Sequence, residues 1–442
     1  MNRQVLKLAV PSILANVTIP LVGLVDTAIV GHLADASIIG GIAIGTMLFD
    51  LLYWNFAFLR VGTSGLTAQA FGAGERHHCA RLLTQSLAIA LVAALFIYDI
   101  QWAFVWAVLQ CVPCSAEAAA FARQYFFVRV WAAPCTLALM ALKGWFIGMQ
   151  DTVSPMVTDI VVNVVNMVAS YVLAVQTPIG AIGVAYGTVI AQVSGLAVAL
   201  VILMLRYRKT FDGLLPKEVL GTWQDLKHMM HLNGNLFIRS LCFMVIYVGF
   251  TALSARYGDE ALAVGSILMK LFMLFSYFAD GFAYAGEALT GRYIGEGNRQ
   301  SVKQVIWVLI AWSTGIGLLF TLLYGVWGQQ CIWLMTDQED ILQASLPFLG
   351  WLTAMPLLST YAFMWDGIFV GATDGRSIRN VMIWASAAFV IVYMATENLW
   401  GVQALYAAYF AHLVARVVYL SIKWRKTYDR AFAKPEVEST EE

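Results

Sequence analysis

An all-α polytopic membrane protein is what this sequence predicts, with twelve transmembrane helices in two six-helix repeats. Three observations carry that reading. Hydrophobic residues make up 60% of the 442 positions and charged residues 12%, about half the charged share of a soluble domain. Apolar runs approaching or exceeding the roughly 20 residues needed to cross a bilayer recur from end to end. Motifs of the first half also return in the second half at a fixed offset.

The runs fall near 6–31, 38–69, 80–99, 120–142, 155–175, 180–205, 232–254, 261–289, 303–326, 343–370, 379–396 and 401–422. The second, eighth and tenth exceed the length needed and are expected to tilt, bend or extend into the interface. Basic residues alternate with the runs. Arg3 and Lys7, Arg76 and Arg81, Lys143, the cluster Arg206, Arg208, Lys209, Lys217 and Lys227, and Lys423, Arg425, Lys426 and Arg430 share one side. The other side carries Glu117, Asp259, Glu260, Asp337, Glu339, Asp340 and Glu397, with Arg256 as the exception. The excess of Lys and Arg predicts that both termini are cytoplasmic. The first run continues too far, without a small-x-small site, for a cleaved signal peptide.

The longest polar connection, 206–231, divides the chain into a first lobe over 1–205 and a second over 232–430, with a disordered tail expected over 431–442. GWFIGMQDTVS from Gly144 matches GIFVGATDGRS from Gly367, and TAQAFGAGER from Thr67 matches TGRYIGEGNR from Thr290, both pairs at one and the same offset. Asp35 pairs with Asp259 one gap away. Six spans per repeat give both halves the same orientation, related by an axis along the membrane normal.

Several function classes drop out. Zero formal net charge excludes a broadly basic nucleic-acid binder. Six cysteines are too sparse for a disulfide scaffold. Cys111 and Cys114 form a single CxxC, better read as small residues near a helix end than as a metal or redox site. No Gly-Lys pair, HExxH or GxSxG occurs, so nothing predicts an ATPase or hydrolase. We expect no enzyme and no cofactor beyond a coupling H⁺ or Na⁺.

In the first run, AVPSILANVTIPLVGLVDTAIVG, Pro20 removes a helix hydrogen bond and frees the carbonyl of Asn16. Asp26 follows six positions later, with no other ionisable group between Lys7 and Asp35. A carboxylate at membrane depth is costly unless it faces a cavity or a partner. A bendable helix carrying one acid suggests a cation-driven switch; a kinked helix with a hydrogen-bonded packing carboxylate is the plainer alternative. In the fifth run Asp159, Asn163, Asn166 and Ser170 fall on one helix face, and Thr188 and Gln192 share a face in the sixth. Oxygen-rich faces of this kind suit a hard cation or a network around a carboxylate, although such residues also join helices in packing roles.

The eighth run carries Lys270, Tyr277, Asp280, Tyr284 and Glu287 on one face. They must point into the bundle or a wet cavity, with Arg129, Arg239 and Asp366 as candidate partners. Fixed salt bridges, including one from Lys270 to an acid on a neighbouring helix, are the structural alternative. Glu287, near the inner interface, is expected to be solvated. Trp365, Phe275, Tyr277, Phe278 and Phe282 are candidates to line a pocket for flat or cationic compounds.

VDTAIVGHL after a proline in the first helix, QAFGAGE after the second, and GWFIGMQDTVSP before the fifth resemble the MATE (multidrug and toxic compound extrusion) transporters. AVGSILMKLFMLFSYFADGFAYAGEALTGRYIGEGN over 263–298 resembles the DinF-like branch. The resemblance covers nearly the whole chain. It implies a V-shaped pair of lobes around a central cavity that opens alternately to either side. The implied activity is export of organic, often cationic or amphipathic compounds against inward H⁺ or Na⁺. Its first-lobe site maps onto Asp26, Asn166 and Thr188, with Asn163, Ser170 and Asp159 nearby. Many members have an aspartate where this chain has Ser170, which favours protons over Na⁺; Asp159 is the candidate compensation.

The expectation is therefore a proton-coupled exporter whose first helix rebends at Pro20 when Asp26 is protonated. Tyr277, Asp280, Tyr284, Lys270, Arg239 and Asp366 are its candidate second-lobe or substrate residues. The expected setting is the bacterial cytoplasmic membrane, with small organic molecules and lipid as partners, a monomeric state and no nucleic acid. A lipid-linked saccharide flippase of similar architecture is the first alternative, and would want a strongly basic cavity. A non-transporting membrane receptor is the second.

Overall fold

The structure, a computed structural model, describes residues 1–33, 36–112, 114–213 and 223–433. Asp35, Lys217 and the tail from 434 onward lie outside the described residues. Among the described residues the chain is helical without a strand, and twelve stretches are long and apolar enough to cross a membrane. The first half holds α1 (Asn2–Leu33), α2 (Ala36–Trp54), α3 (Phe58–Gly72), α4 (Arg76–Cys111), α5 (Ala116–Arg129), α6 (Ala133–Gly148), α7 (Val153–Val175) and α8 (Gly183–Phe211). The second holds α9 (Trp223–Arg256), α10 (Asp259–Gly295), α11 (Arg299–Trp333), α12 (Glu339–Ser345), α13 (Leu349–Gly371), α14 (Gly375–Trp400) and α15 (Gln403–Ala431). Much of the polar stretch 206–231 is thus helical, as the ends of α8 and α9.

The three overlong runs behave differently. The second breaks into α2 and α3 at residues 55–57, where the Asn55 amide donates to the Leu51 carbonyl at 2.6 Å. The tenth breaks into α12 and α13 across a short 3-10 turn containing Pro347. The eighth stays whole: the 37 residues of α10 reach about 55 Å at 1.5 Å per residue. It therefore projects beyond the hydrocarbon layer or crosses it at a tilt.

Repeat-related turns have the same construction. Gln150 and Thr373, equivalent positions of the two repeats, both adopt positive φ, at 64° and 54°. Each is followed by an aspartate that accepts from the start of the next helix. Asp151 accepts from the Ser154 amide at 3.0 Å and Asp374 from the Ser377 amide at 3.1 Å. A carboxylate there satisfies orphan N–H groups and complements the positive helix end.

The halves meet tightly on the face that carries the chain's first and last described residues, here the terminal face. Gly72 of α3 lies against the Arg292 carbonyl of α10, and Gly295 of α10 against the Gln69 carbonyl of α3. A methyl group at either position would collide with facing backbone, so only glycine permits this approach. Gln69 also donates to the Gly371 carbonyl at 2.8 Å, and Gln150 to the Ala288 carbonyl at 2.7 Å.

α1 runs unbroken through Pro11 and Pro20 and touches both halves. Its first part lies on the second half: Tyr293 donates to Gln4 at 3.0 Å, Trp312 to Asn2 at 3.3 Å, and the Asn16 amide to the Tyr277 carbonyl at 3.3 Å. Val5, Leu8 and Ala9 accordingly belong to the large hydrophobic core of the second half. Further along, α1 lies against α7, where the Asn163 amide donates to the Thr18 hydroxyl at 2.5 Å.

Candidate functional site

Two of the cavities between the halves hold the polar residues singled out in the sequence. The wider, of about 1580 Å³, is lined by α1, α2, α4, α5, α7, α8, α9 and α10. That exceeds the roughly 300–1,000 Å³ of a drug-sized site. Its lining includes Cys111, Val112, Ala255 and Leu262, which sit at helix ends opposite the terminal face. The cavity therefore reaches that opposite face, while the glycine contacts shut the terminal one. Cys111 and Cys114 are free and exposed.

Asp26, Asn163, Asn166, Thr188 and Gln192 all line this cavity. The Asn166 amide donates to the Thr188 hydroxyl at 3.0 Å, and that hydroxyl donates to the Val184 carbonyl at 3.0 Å. The other side of the Asn166 amide, its Oδ1, is buried without a hydrogen-bond partner, as are Asp26 Oδ1 and Ser170 Oγ. Ser170 and Arg129 are the polar neighbours of Asp26. An acid and two neutral oxygens of α1 and α7 thus keep unused hydrogen-bonding capacity, Ser170 next to Asp26 and Asn166 on the same cavity wall as Asp26. Buried polar atoms left in this state are costly unless water, a proton or an ion serves them.

Arg129 belongs to this first-half site rather than to the α10 stripe that sequence reasoning offered it to. It hydrogen-bonds Tyr125 OH at 3.2 Å and lies over the Phe49 ring at 4.6 Å. Asp50, missed in the sequence because it sits within a long apolar run, also lines the cavity, as does Lys270. Two acids therefore face two cations. Lys270 is in a different cavity from Asp280 and has no ion pair among the described residues.

Asp159 does not join the Asp26 group. It is ion-paired with Lys143 of α6 and does not line the wide cavity. Although it shares a helix stripe with Asn163 and Asn166, it lies toward the terminal end of α7, where Lys143 is the nearer charge.

The smaller cavity, of about 350 Å³, holds the second-half residues: Tyr277, Asp280, Tyr284, Arg239 and Asp366 line it, with Arg60, Glu287 and Arg416. Ile19, Trp54 and Tyr247 border both cavities, and the Trp54 and Tyr247 rings meet edge-on at 5.2 Å. Asp366 accepts from Arg416 at 2.6 Å and Arg239 at 3.1 Å. Arg60 of α3 reaches Glu287 of α10 at 3.5 Å and lies over the Tyr284 ring at 4.4 Å. Three arginines balance three carboxylates, which is how buried charge is tolerated at membrane depth.

Glu287 is therefore not solvated, as its position near the interface suggested. It is 2% exposed and paired across the halves, because α10 passes beneath α3 in the closed terminal seam. The aromatic set is corrected as well. Phe275 and Phe282 are buried in the second-half core and Trp365 packs on Trp424 at 5.6 Å. Phe278 packs on Phe320 at 5.1 Å, leaving Tyr277 alone of the five on a cavity wall. Arg416 was legible in principle, as a cation inside the twelfth apolar run, one helical turn after His412.

The MatE family model matches residues 11–172 and 236–396, one match per half. DNA damage-inducible protein F of Escherichia coli is 34% identical over 95% of this chain and 91% of its own length. A probable multidrug resistance protein NorM of Synechocystis is 23% identical over 90% of this chain and 86% of its own. A MATE crystallised in complex with MaD3S superposes with a TM-score of 0.88 at 18% identity, covering 97% of this chain and 96% of that one. An outward-facing multidrug resistance MATE family transporter of the MOP superfamily gives 0.87 at 17% identity with the same coverage.

Proposed function

Because the chain belongs to the MatE family, we propose that it is a secondary active antiporter exporting organic, often cationic or amphipathic compounds in exchange for H⁺. The setting would be a bacterial cytoplasmic membrane with both termini inside, so that the wide cavity faces outward. The family consists of transporters rather than enzymes, and relatives named as multidrug resistance proteins motivate the substrate class.

One observation carries the coupling: Asp26 lines the same cavity as the Asn166–Thr188 pair and keeps an unpartnered carboxylate oxygen. Protonation would remove its charge, turn that oxygen from acceptor to donor, and change which partners on α7 and α8 it can hold. α1 beyond Pro20 would then rebend and reduce the cavity volume. Substrate and proton would each weaken the other's binding, as linkage requires. Ser170 supplies a hydroxyl where a second carboxylate would favour Na⁺, and Asp159 is already neutralised by Lys143.

The flippase alternative wants a basic cavity. Here Arg129 and Lys270 face Asp26 and Asp50, and the smaller cavity is balanced, so the charge pattern supports the drug exporter instead.

Export of a fluorescent cationic dye from proteoliposomes tests the reading, with proton and Na⁺ gradients imposed separately on wild type and Asp26→Asn. Flux driven by protons alone and lost in the variant is expected. Undiminished flux in Asp26→Asn overturns the assignment and moves the coupling acid to Asp280 or Asp366.

A further inference from the structure

We propose that the groove between α14 and α15 on the terminal face is a binding site for the headgroup of an anionic phospholipid. A cavity of about 180 Å³ there is lined by Arg376, Ser377 and Asn380 of α14 with Tyr419, Lys423, Lys426, Thr427 and Arg430 of α15. Four of its eight lining residues are cations and none is a carboxylate. Among the described residues, Arg430 alone of the four cations reaches an acid, at 3.8 Å from Asp374. Asp374 is itself occupied by Ser377 and Thr427 at 2.8 and 2.6 Å. Lys423 lies over the Tyr419 ring at 5.7 Å, and both line the groove. The Asn380 amide and the Tyr419 hydroxyl add neutral donors to the charges, as a phosphodiester with several acceptor oxygens requires.

The internal repeat separates the two sides of the groove. On α14, Arg376 and Asn380 correspond to Val153 and Val157 of the first repeat, which are exposed on α7 beside the same aspartate-capped turn. The last turns of α8 and α15 are both basic, with Arg206, Arg208 and Lys209 in one and Lys423, Lys426 and Arg430 in the other. Polar residues facing those cations from the neighbouring helix are therefore a feature of the second half alone, and close the groove there.

The apolar surface above the groove identifies the ligand as a lipid rather than a free phosphate. Ile383 and Trp384 lie one turn beyond Asn380 on α14, and Ile422 and Val418 one and two turns beyond Lys426 on α15; they are exposed at 46%, 64%, 71% and 49%. Acyl chains would lie along them while the headgroup fills the groove. Basic pockets between membrane helices recognise acidic headgroups in this way, at about 1 kcal/mol per Lys or Arg near the surface.

The test is a titration of phosphatidylglycerol, phosphatidylcholine and inorganic phosphate into the full-length protein in neutral detergent. Bound lipid is counted by native mass spectrometry. Wild type should retain one phosphatidylglycerol in preference to phosphatidylcholine, with inorganic phosphate competing weakly. Lys423→Gln/Lys426→Gln should bind it about 30-fold more weakly, the factor that two surface cations supply. Arg208→Gln/Lys209→Gln, which removes equal charge from the same face outside the groove, should bind like wild type. Melting temperatures without lipid confirm that both variants are folded. Equal losses in the two double variants, no preference over phosphatidylcholine, or full displacement by inorganic phosphate would each overturn the proposal.

Discussion

Asp151 and Asp374, equivalent in the two repeats, make the same hydrogen bonds, while Asp26 and Phe250, its counterpart by the Asp35–Asp259 pairing, have nothing in common. The same split runs through the molecule. Turns and close helix contacts repeat: Gln150 with Thr373 and Gly72 with Gly295. The interior ionisable and polar groups do not. Asn166 corresponds to Phe389, Asp366 to Lys143 and Glu287 to Ser64. Backbone geometry tolerates few side chains at a positive-φ turn or a glycine contact, so duplication leaves those positions alike. A cavity wall accepts many residues and is free to diverge. The first half keeps a nearly neutral oxygen cluster around one acid, and the second keeps a compensated network of six charges.

Removing an acid should therefore have opposite signatures in the two halves. Asp366→Ala leaves Arg239 and Arg416 without their shared carboxylate and should destabilise the protein by about 3–5 kcal/mol, read as a lowered melting temperature in detergent. If that variant melts like wild type, the second-half network is a hydrated site and the contrast fails. Asp26→Asn should leave the melting temperature close to wild type while abolishing gradient-driven flux, because its carboxylate has an oxygen with no partner to lose. Asn166→Ala, which deletes the 3.0 Å bond to Thr188, should cost about 1 kcal/mol and reduce dye flux partially. Ser170→Asp sharpens the same point in the other direction. A second acid beside Asp26 should confer Na⁺ stimulation on flux, and an unchanged ion preference would show that Ser170 does not set it. The smallest effect belongs to Ser115→Ala, which removes a helix cap with a 3.2 Å bond to the Ala118 amide. It should cost about 1 kcal/mol or less with transport intact.

The sequence carried the architecture because hydropathy and repeat offset are local or periodic signals. The twelve runs correspond to the twelve membrane-length stretches, and the two repeats to the two family matches. A lone acid and two polar stripes stand out against apolar runs, and the resemblance to the MATE transporters is what joined Asp26, Asn166 and Thr188 among them into one proposed site. What pairs with what was not legible. Arg60 meets Glu287, and Arg416 meets Asp366, across helices far apart in sequence. Asp159 was drawn away by Lys143, a residue on another helix that no stripe on α7 reveals. Arg60, Asp50 and Arg416 each lie inside a long apolar run, so scanning the runs for every ionisable residue would have recovered all three.

Among the described residues, Asn16 is the last of α1 hydrogen-bonded to α10, and Asp26 is the acid that α1 brings to the wide cavity. Between them Pro20 deletes the backbone bond to the Asn16 carbonyl. Mechanically, α1 is a rod clamped at one end, weakened just past the clamp, and loaded near its free end. A sideways force on the load of such a rod turns it about the weak point and leaves the clamp undisturbed. In the transport cycle proposed above, the cavity would be squeezed in this way while the terminal seam stays shut, and the chamber would empty to one side without leaking to the other.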